Sequence, residues 1–231
     1  MTGIAERVEE VTARIAAVAE RAGRNPADVT LVAVAKTFPA SMCAEALAAG
    51  VTDLGENRAQ ELKAKTRALR DRGRWHFVGH LQTNKVRHVV GNAVLIHSVD
   101  RVDLADAINR RAGALGIVQN VLIEVNLANE RSKSGVSPGA APELAGALAA
   151  LENVAVVGLM AMPPLTGSLD ATRSHFKELA RIRTAVTAVA PKARELSMGM
   201  SRDYEVAIEE GATIVRVGEA IFGPRRGSTA V

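Results

Sequence analysis

Eight short apolar runs recur along the chain, each followed by a longer segment whose apolar residues fall at helical spacing. The runs are LVAVAK from Leu31, VTDL from Val51, WHFVG from Trp75, AVLIHSV from Ala93, NVLIEVN from Asn120, VAVVGLM from Val154, RELSM from Arg194 and TIVRVG from Thr213. Helical segments are predicted over 41–49, 57–70, 84–90, 102–113, 142–151, 171–189 and 203–210, with a short last one from Glu219. An N-terminal helix within 1–24, with Val8, Val11, Ile15 and Val18 along one side, precedes them all. Strands that alternate with helices pair in parallel through βαβ units. Eight such units in 231 residues fit a single (β/α)8 barrel near the small end of its size range. An open, doubly wound sheet is the alternative. Against it, no GxGxxG follows the first strand and no shift in composition marks a second domain. The expectation is one domain over 1–231, with a flexible tail at 224–231.

Composition narrows the function. With 48% apolar residues the chain can bury a full core, and its single cysteine, Cys43, excludes an internal disulfide framework and fits a reducing compartment. The start carries acidic residues at amphipathic spacing where a secretory signal would have a basic stretch and an apolar block. Prolines interrupt the longest apolar stretch, 154–165, well short of a membrane span. A cytoplasmic protein without membrane contact is expected. The net charge of +4 raises nucleic acid as a partner, but the cations are interleaved with acids and only six aromatic side chains exist to stack on bases. A solvated helix face accounts for such charge runs, and no nucleic-acid partner is expected.

Reactive residues of a (β/α)8 barrel lie at the C-terminal ends of its strands. The first strand is read as ending in Lys36, on the same side as Val32 and Val34, which would face the barrel interior. Loss of hydration there favours the neutral amine, a nucleophile for a carbonyl. A lysine that snorkels from the strand end into solvent is the plainer alternative. After the seventh strand, Gly199 allows a tight turn and Ser201 sits where a helix N-cap is expected; after the eighth, Gly218 precedes the last helix. Loops at these two places commonly hold a phosphate, because unpaired N–H groups at helix starts favour an anion. An amine nucleophile facing a phosphate site points to an aldehyde that bears a phosphate, which is pyridoxal 5′-phosphate. Arg216 would then face the pyridine nitrogen as a permanent donor and disfavour its protonation. A strand-end arginine paired with Glu124 is the alternative.

The stretches LVAVAKTFP, GENRAQEL, WHFVGHLQTNKVR, HSVDR, VLIEVNLANERSKSGV, GLMAMPP and LSMGMSRDYEVAIEEGATIVRVGEAIFG cover nearly the whole chain. They resemble the pyridoxal phosphate homeostasis proteins, also known as the proline synthetase co-transcribed bacterial homologue family. The resemblance implies a fold-type-III barrel like the N-terminal domain of alanine racemase, with the cofactor held as a Schiff base on Lys36. It implies phosphate contacts from Ser201 and from the backbone at Gly218 and Glu219, a pyridine-nitrogen contact from Arg216, and Asn57 and Met200 lining the cofactor. The implied role is vitamin B6 and amino-acid homeostasis without a well-established turnover. Two departures stand out: relatives commonly show SKTKP where this chain has AKTFP, and many carry Thr or Ser where it has Glu219. A carboxylate beside a phosphate is repulsive, so Glu219 is expected to turn away and offer only its N–H.

The alternative is a pyridoxal-phosphate-dependent racemase or lyase. Racemases of this fold add a second domain and a tyrosine across a dimer interface, whereas this chain is expected to act as a monomer and its one tyrosine, Tyr204, lies in a helix. Racemisation needs a base on each face of the substrate carbanion, and Lys36 alone is in view. An open mouth favours exchange, with apo pyridoxal-phosphate enzymes as transient partners. A barrel enzyme acting on another phosphorylated metabolite would need a carboxylate at a strand end, for which Glu56 is the candidate. His76 and His80 are four residues apart on one strand face, but two histidines without a third ligand make a poor metal site, and none is expected. His80 can line the mouth. Lys133, in the loop SKSG, reaches over the ligand or belongs to a solvated loop. Cys43 is expected to be packed within a helix of small residues.

Overall fold

The computed structural model describes residues 3–70, 72–128, 130, 133–164 and 168–224. Among these, eight parallel strands close into one barrel in sequence order. The strands are β1 (Thr30–Val34), β2 (Asp53–Glu56), β3 (Arg74–Phe77), β4 (Leu95–Val99), β5 (Gln119–Glu124), β6 (Val154–Met160), β7 (Glu195–Ser197) and β8 (Ile214–Val217). Each predicted run overlaps one strand, and β6 has the predicted bounds. Barrel closure is made by β1 and β8, with Val32 beside Arg216, and β1 also pairs with β2, with Val34 beside Gly55. The barrel expectation holds and the open sheet does not.

Helices surround the strands: α1 (Ile4–Arg21), α2 (Ala40–Ala48), α3 (Ala59–Ala68), α4 (Val102–Ala114), α5 (Ala141–Ala149), α6 (Leu169–Val189), α7 (Tyr204–Glu209) and α8 (Glu219–Phe222). In α1, Val8, Val11, Ile15 and Val18 are all buried, as their spacing predicts. The longest helix, α6, starts at Ser168, whose hydroxyl accepts from the N–H of Ala171. One helical expectation changes form: the segment predicted over 84–90 is a 3-10 helix, Thr83–His88. It carries three basic side chains and leaves a single buried anchor, Val86, too little apolar surface to hold a longer helix. The predicted tail lies, from residue 225 onward, outside the described residues, as do residues 1 and 2.

Alternation along the strands sorts side chains into two cores. Inside the barrel, Val32, Val34, Leu95, Leu122, Met160 and Ile214 form a small apolar cluster. The larger core fills the layer between strands and helices, from Ala33 and Leu54 to Leu159 and Val215. Register places several polar residues in the inner set. Asp53 lies beside Val32, His76 beside Leu95, and Ser197 beside Met160 and Ile214. The barrel is therefore only partly filled by hydrocarbon, and its polar contents set up the site.

Candidate functional site

β1 stops at Val34, two residues before the predicted end. Lys36 is half-buried in the turn that follows, so strand alternation does not carry through to it. The turn is tightly held. The N–H of Ala35 donates to the Gly55 carbonyl at 2.9 Å, and Phe38 donates back to Ala35 at 3.1 Å. Thr37 has a φ of 70°, a left-handed conformation disfavoured for a β-branched residue, and its N–H donates to Glu61 at 3.3 Å. Phe38 stacks on Phe222 with ring centroids 5.3 Å apart, so the departure from SKTKP closes a contact between the first turn and α8.

The loops after β7 and β8 meet beside this turn. The N–H groups of Gly218 and Ala220 both point at the hydroxyl oxygen of Ser201, at 3.3 and 3.4 Å. Ser201 is therefore not the N-cap that the sequence predicts. That place belongs to Asp203, whose carboxylate instead accepts from the N–H of Met200 at 2.6 Å. Burial pushes the Asp203 carboxyl up. A side chain at Gly218 would stand 3.0 Å from the Val34 carbonyl oxygen, and one at Gly199, with φ of 91°, would meet Ala207 at 2.6 Å. Glycine is required at Gly199 by its backbone and by the close approach of α7, while at Gly218 it leaves room for the end of β1. Glu219 is exposed at the start of α8.

Arg216 is buried on the inner face of β8. It donates to the Ser197 hydroxyl at 2.6 Å and to the Ala161 carbonyl at 3.1 Å. Burial lowers its pKa to about 10, while Asp203 and Glu124 pull the other way, so it stays a cation at neutral pH. The predicted alternative, a pair with Glu124, is not formed: the Oε2 of Glu124 is buried without a hydrogen-bond partner. Burial, with Asp100 nearby, pushes Glu124 up to about 7. Asn57 follows β2; its N–H donates to Glu56 at 3.0 Å, and its side-chain oxygen is buried and unpartnered.

Seven residues singled out from the sequence, Lys36, Asn57, Met200, Ser201, Arg216, Gly218 and Glu219, thus come from the adjacent strands β7, β8, β1 and β2 or the segments just after them. Other candidates resolve differently. Glu56 faces outward, fully buried, and pairs with Lys65 of α3, so it is not a carboxylate of the barrel mouth. His76 bonds Asp53 inside the barrel while His80 bonds Ser134 at 3.0 Å, so the two histidines serve different places. Among the described residues no group of three or more His, Cys, Asp or Glu could hold a metal ion. Lys133 pairs with Glu130 at 3.0 Å, in a loop that Asn126 spans with two donated bonds; Ser132 lies outside the described residues. Cys43 is buried, and burial raises its thiol to about 11.

Sequence reasoning missed His97, Ser197 and Lys65. The first two sit at inward positions of their strands, and a polar residue inside an apolar run was the available signal. Lys65 gave none, because a lysine on an amphipathic helix reads as solvated.

Residues 7–226 match the family described as alanine racemase, N-terminal domain. The pyridoxal phosphate homeostasis protein of Aquifex aeolicus is 46% identical, over 96% of this chain and 98% of its own. That of Escherichia coli K12 is 40% identical, over 97% and 98%. PipY of Synechococcus elongatus, solved with PLP bound, superposes with a TM-score of 0.84 at 37% identity, covering 95% of this chain and all of PipY. No helix among the described residues is long and apolar enough to cross a membrane.

Proposed function

The chain belongs to the pyridoxal phosphate homeostasis protein family, and on that premise we propose that it binds pyridoxal 5′-phosphate as a Schiff base on Lys36. It serves vitamin B6 and amino-acid homeostasis in the cytoplasm, as a monomer of one barrel domain, without strong catalytic turnover. The observation that carries this reading is the convergence of the Gly218 and Ala220 N–H groups and the Ser201 hydroxyl beside the turn that bears Lys36.

The residues present fit the cofactor. Two backbone donors and a hydroxyl, with no side chain at Gly218, suit a phosphate. The unpartnered Asn57 oxygen offers a polar contact on the β2 side of the mouth. Arg216 stays cationic and only donates, so a pyridine nitrogen facing it is held unprotonated. The bound group supplies an aldehyde that takes up amines and a ring that accepts electrons from them. Arg216 weakens the second property. Tyr204 is buried in α7, and burial pushes its phenol up, which supports a structural role.

One observation favours a second reading, a pyridoxal-phosphate-dependent amino-acid racemase or lyase. Glu124 is a buried carboxylate at the end of β5 whose ordinary value is pushed up to about 7, so it can exchange a proton near neutral pH. Incubating the loaded protein with an apo pyridoxal-phosphate enzyme, and separately with single-enantiomer amino acids, distinguishes the two. Recovery of the recipient's activity with negligible racemisation or cleavage is the expected result. Turnover of an amino acid without transfer would support the enzyme instead.

A further inference from the structure

A continuous hydrogen-bonded line crosses the barrel interior. Asp53 Oδ1 lies 2.8 Å from His76 Nε2, and His76 Nδ1 lies 2.9 Å from His97 Nε2. His97 Nδ1 is 2.9 Å from the Ser197 hydroxyl, which accepts from Arg216 Nη1 at 2.6 Å. All five side chains are buried, none more than 5% exposed. The line joins β2, β3, β4, β7 and β8, and it ends at one carboxylate and one guanidinium.

We propose that Asp53, His76, His97 and Ser197 are positioning residues that fix the guanidinium of Arg216 in one orientation, with both imidazoles neutral and each protonated on Nε2. The chemistry of the donors settles the direction. A guanidinium only donates, so Ser197 accepts from it and can give its own proton to His97 Nδ1. His97 then carries its proton on Nε2 and donates to His76 Nδ1. His76 in turn carries its proton on Nε2 and donates to the Asp53 carboxylate. The hydrogen bonds from His76 and Thr52 outweigh burial and hold the Asp53 carboxyl below its ordinary value, and with Asp53 ionised and both rings neutral no other arrangement satisfies every bond. The reverse arrangement would need His76 doubly protonated, adding a buried cation to the barrel that already holds Arg216. Burial and the neighbouring Arg216 cation also hold His97 neutral.

The role assigned to Arg216 rests on the proposed cofactor, but the line itself does not. A guanidinium on a buried strand has several rotamers available. Bonds to Ser197 and to the Ala161 carbonyl select one of them, and the two imidazoles tie Ser197 to a fixed negative charge at the far end. A donor aimed in this way meets a ring nitrogen without reorganising.

Two measurements test this separately. In the protein without cofactor, at about pH 7, 15N-histidine NMR should show two buried neutral rings, both protonated on Nε2. A charged His76, or an Nδ1-protonated ring at either position, overturns the relay whatever the protein binds. Titration of wild type, Ser197→Ala and Ser197→Thr with pyridoxal phosphate then tests positioning through affinity and through the 15N shift of the ring nitrogen. Loss of the hydroxyl should weaken binding about tenfold, the scale of outer-shell losses, and move the ring-nitrogen shift, with Thr restoring both. Binding and ring-nitrogen shift unchanged in Ser197→Ala, with wild type binding normally, would overturn the positioning role. Absence of binding by wild type would overturn the cofactor reading, and with it the role of Arg216, while leaving the NMR result to decide the relay.

Discussion

The ammonium of Lys65 donates to the carbonyl oxygen of Ala35 at 2.8 Å, so a buried cation on α3 holds the residue that precedes Lys36. The same ammonium pairs with Glu56, whose other oxygen accepts from the N–H of Asn57. One buried ion pair thereby ties the turn after β1 to the turn after β2. Replacing Lys65 by Met leaves the Glu56 carboxyl buried without its partner, and burial already pushes that group up. The expected loss is about 3 to 5 kcal/mol, the usual consequence of stranding a buried charge. Glu56→Gln added to Lys65→Met should recover most of it. Urea unfolding of the three proteins measures this; equal losses in the single and double variants would show that the pair is not what holds the turns.

Gly218→Ala places a methyl 3.0 Å from the Val34 carbonyl oxygen, at the point where the two loops meet. The contact forces the Gly218 and Ala220 N–H groups out of line with Ser201. Pyridoxal phosphate should bind roughly tenfold more weakly, equivalent to about 1.4 kcal/mol. Pyridoxal without its phosphate should lose little, since the damage is confined to the phosphate donors. Titrations with both compounds provide the comparison, and equal weakening of the two would place the phosphate elsewhere.

Glu124 makes stability depend on pH. Its folded value of about 7 lies above the ordinary value of 4.5, so its unfolded form gives up the proton first as pH rises. Its contribution is fully present below about 4.5 and is lost as pH climbs through about 7, a swing of about 3 kcal/mol. Glu124→Gln removes the titration. Relative to wild type, the variant should gain Tm at pH 8 and lose that gain at pH 4.5. Thermal unfolding of both proteins without cofactor at the two pH values tests this; a difference independent of pH would contradict it.

The barrel was legible because eight apolar runs alternate with helical segments, and strand order followed from the crossovers alone. The rim was legible for the same reason, since it is made of what comes next after each run. Local details were not. Ser201 reads as an N-cap because Ser followed by Asp commonly is one, yet its hydroxyl turns to the N–H groups of a loop after the next strand. Ser197 and His97 meet across 100 residues of sequence, and no local pattern carries that contact. Glu56 looked chemical because it stands in a turn motif beside Asn57, but its strand parity points it outward to Lys65. Phe38 gave a departure from the family without a reason, and the reason is Phe222 at the other end of the chain.

The most direct test of the account is covalent attachment at Lys36. Wild type and Lys36→Ala are mixed with pyridoxal phosphate, reduced with borohydride and digested for peptide mass analysis, with visible spectra taken before and after reduction. The account predicts a visible band in wild type that reduction abolishes, leaving the pyridoxyl mass on the peptide that contains Lys36, and neither signal in the variant. The mass on another lysine, or an undiminished band in Lys36→Ala, would contradict it.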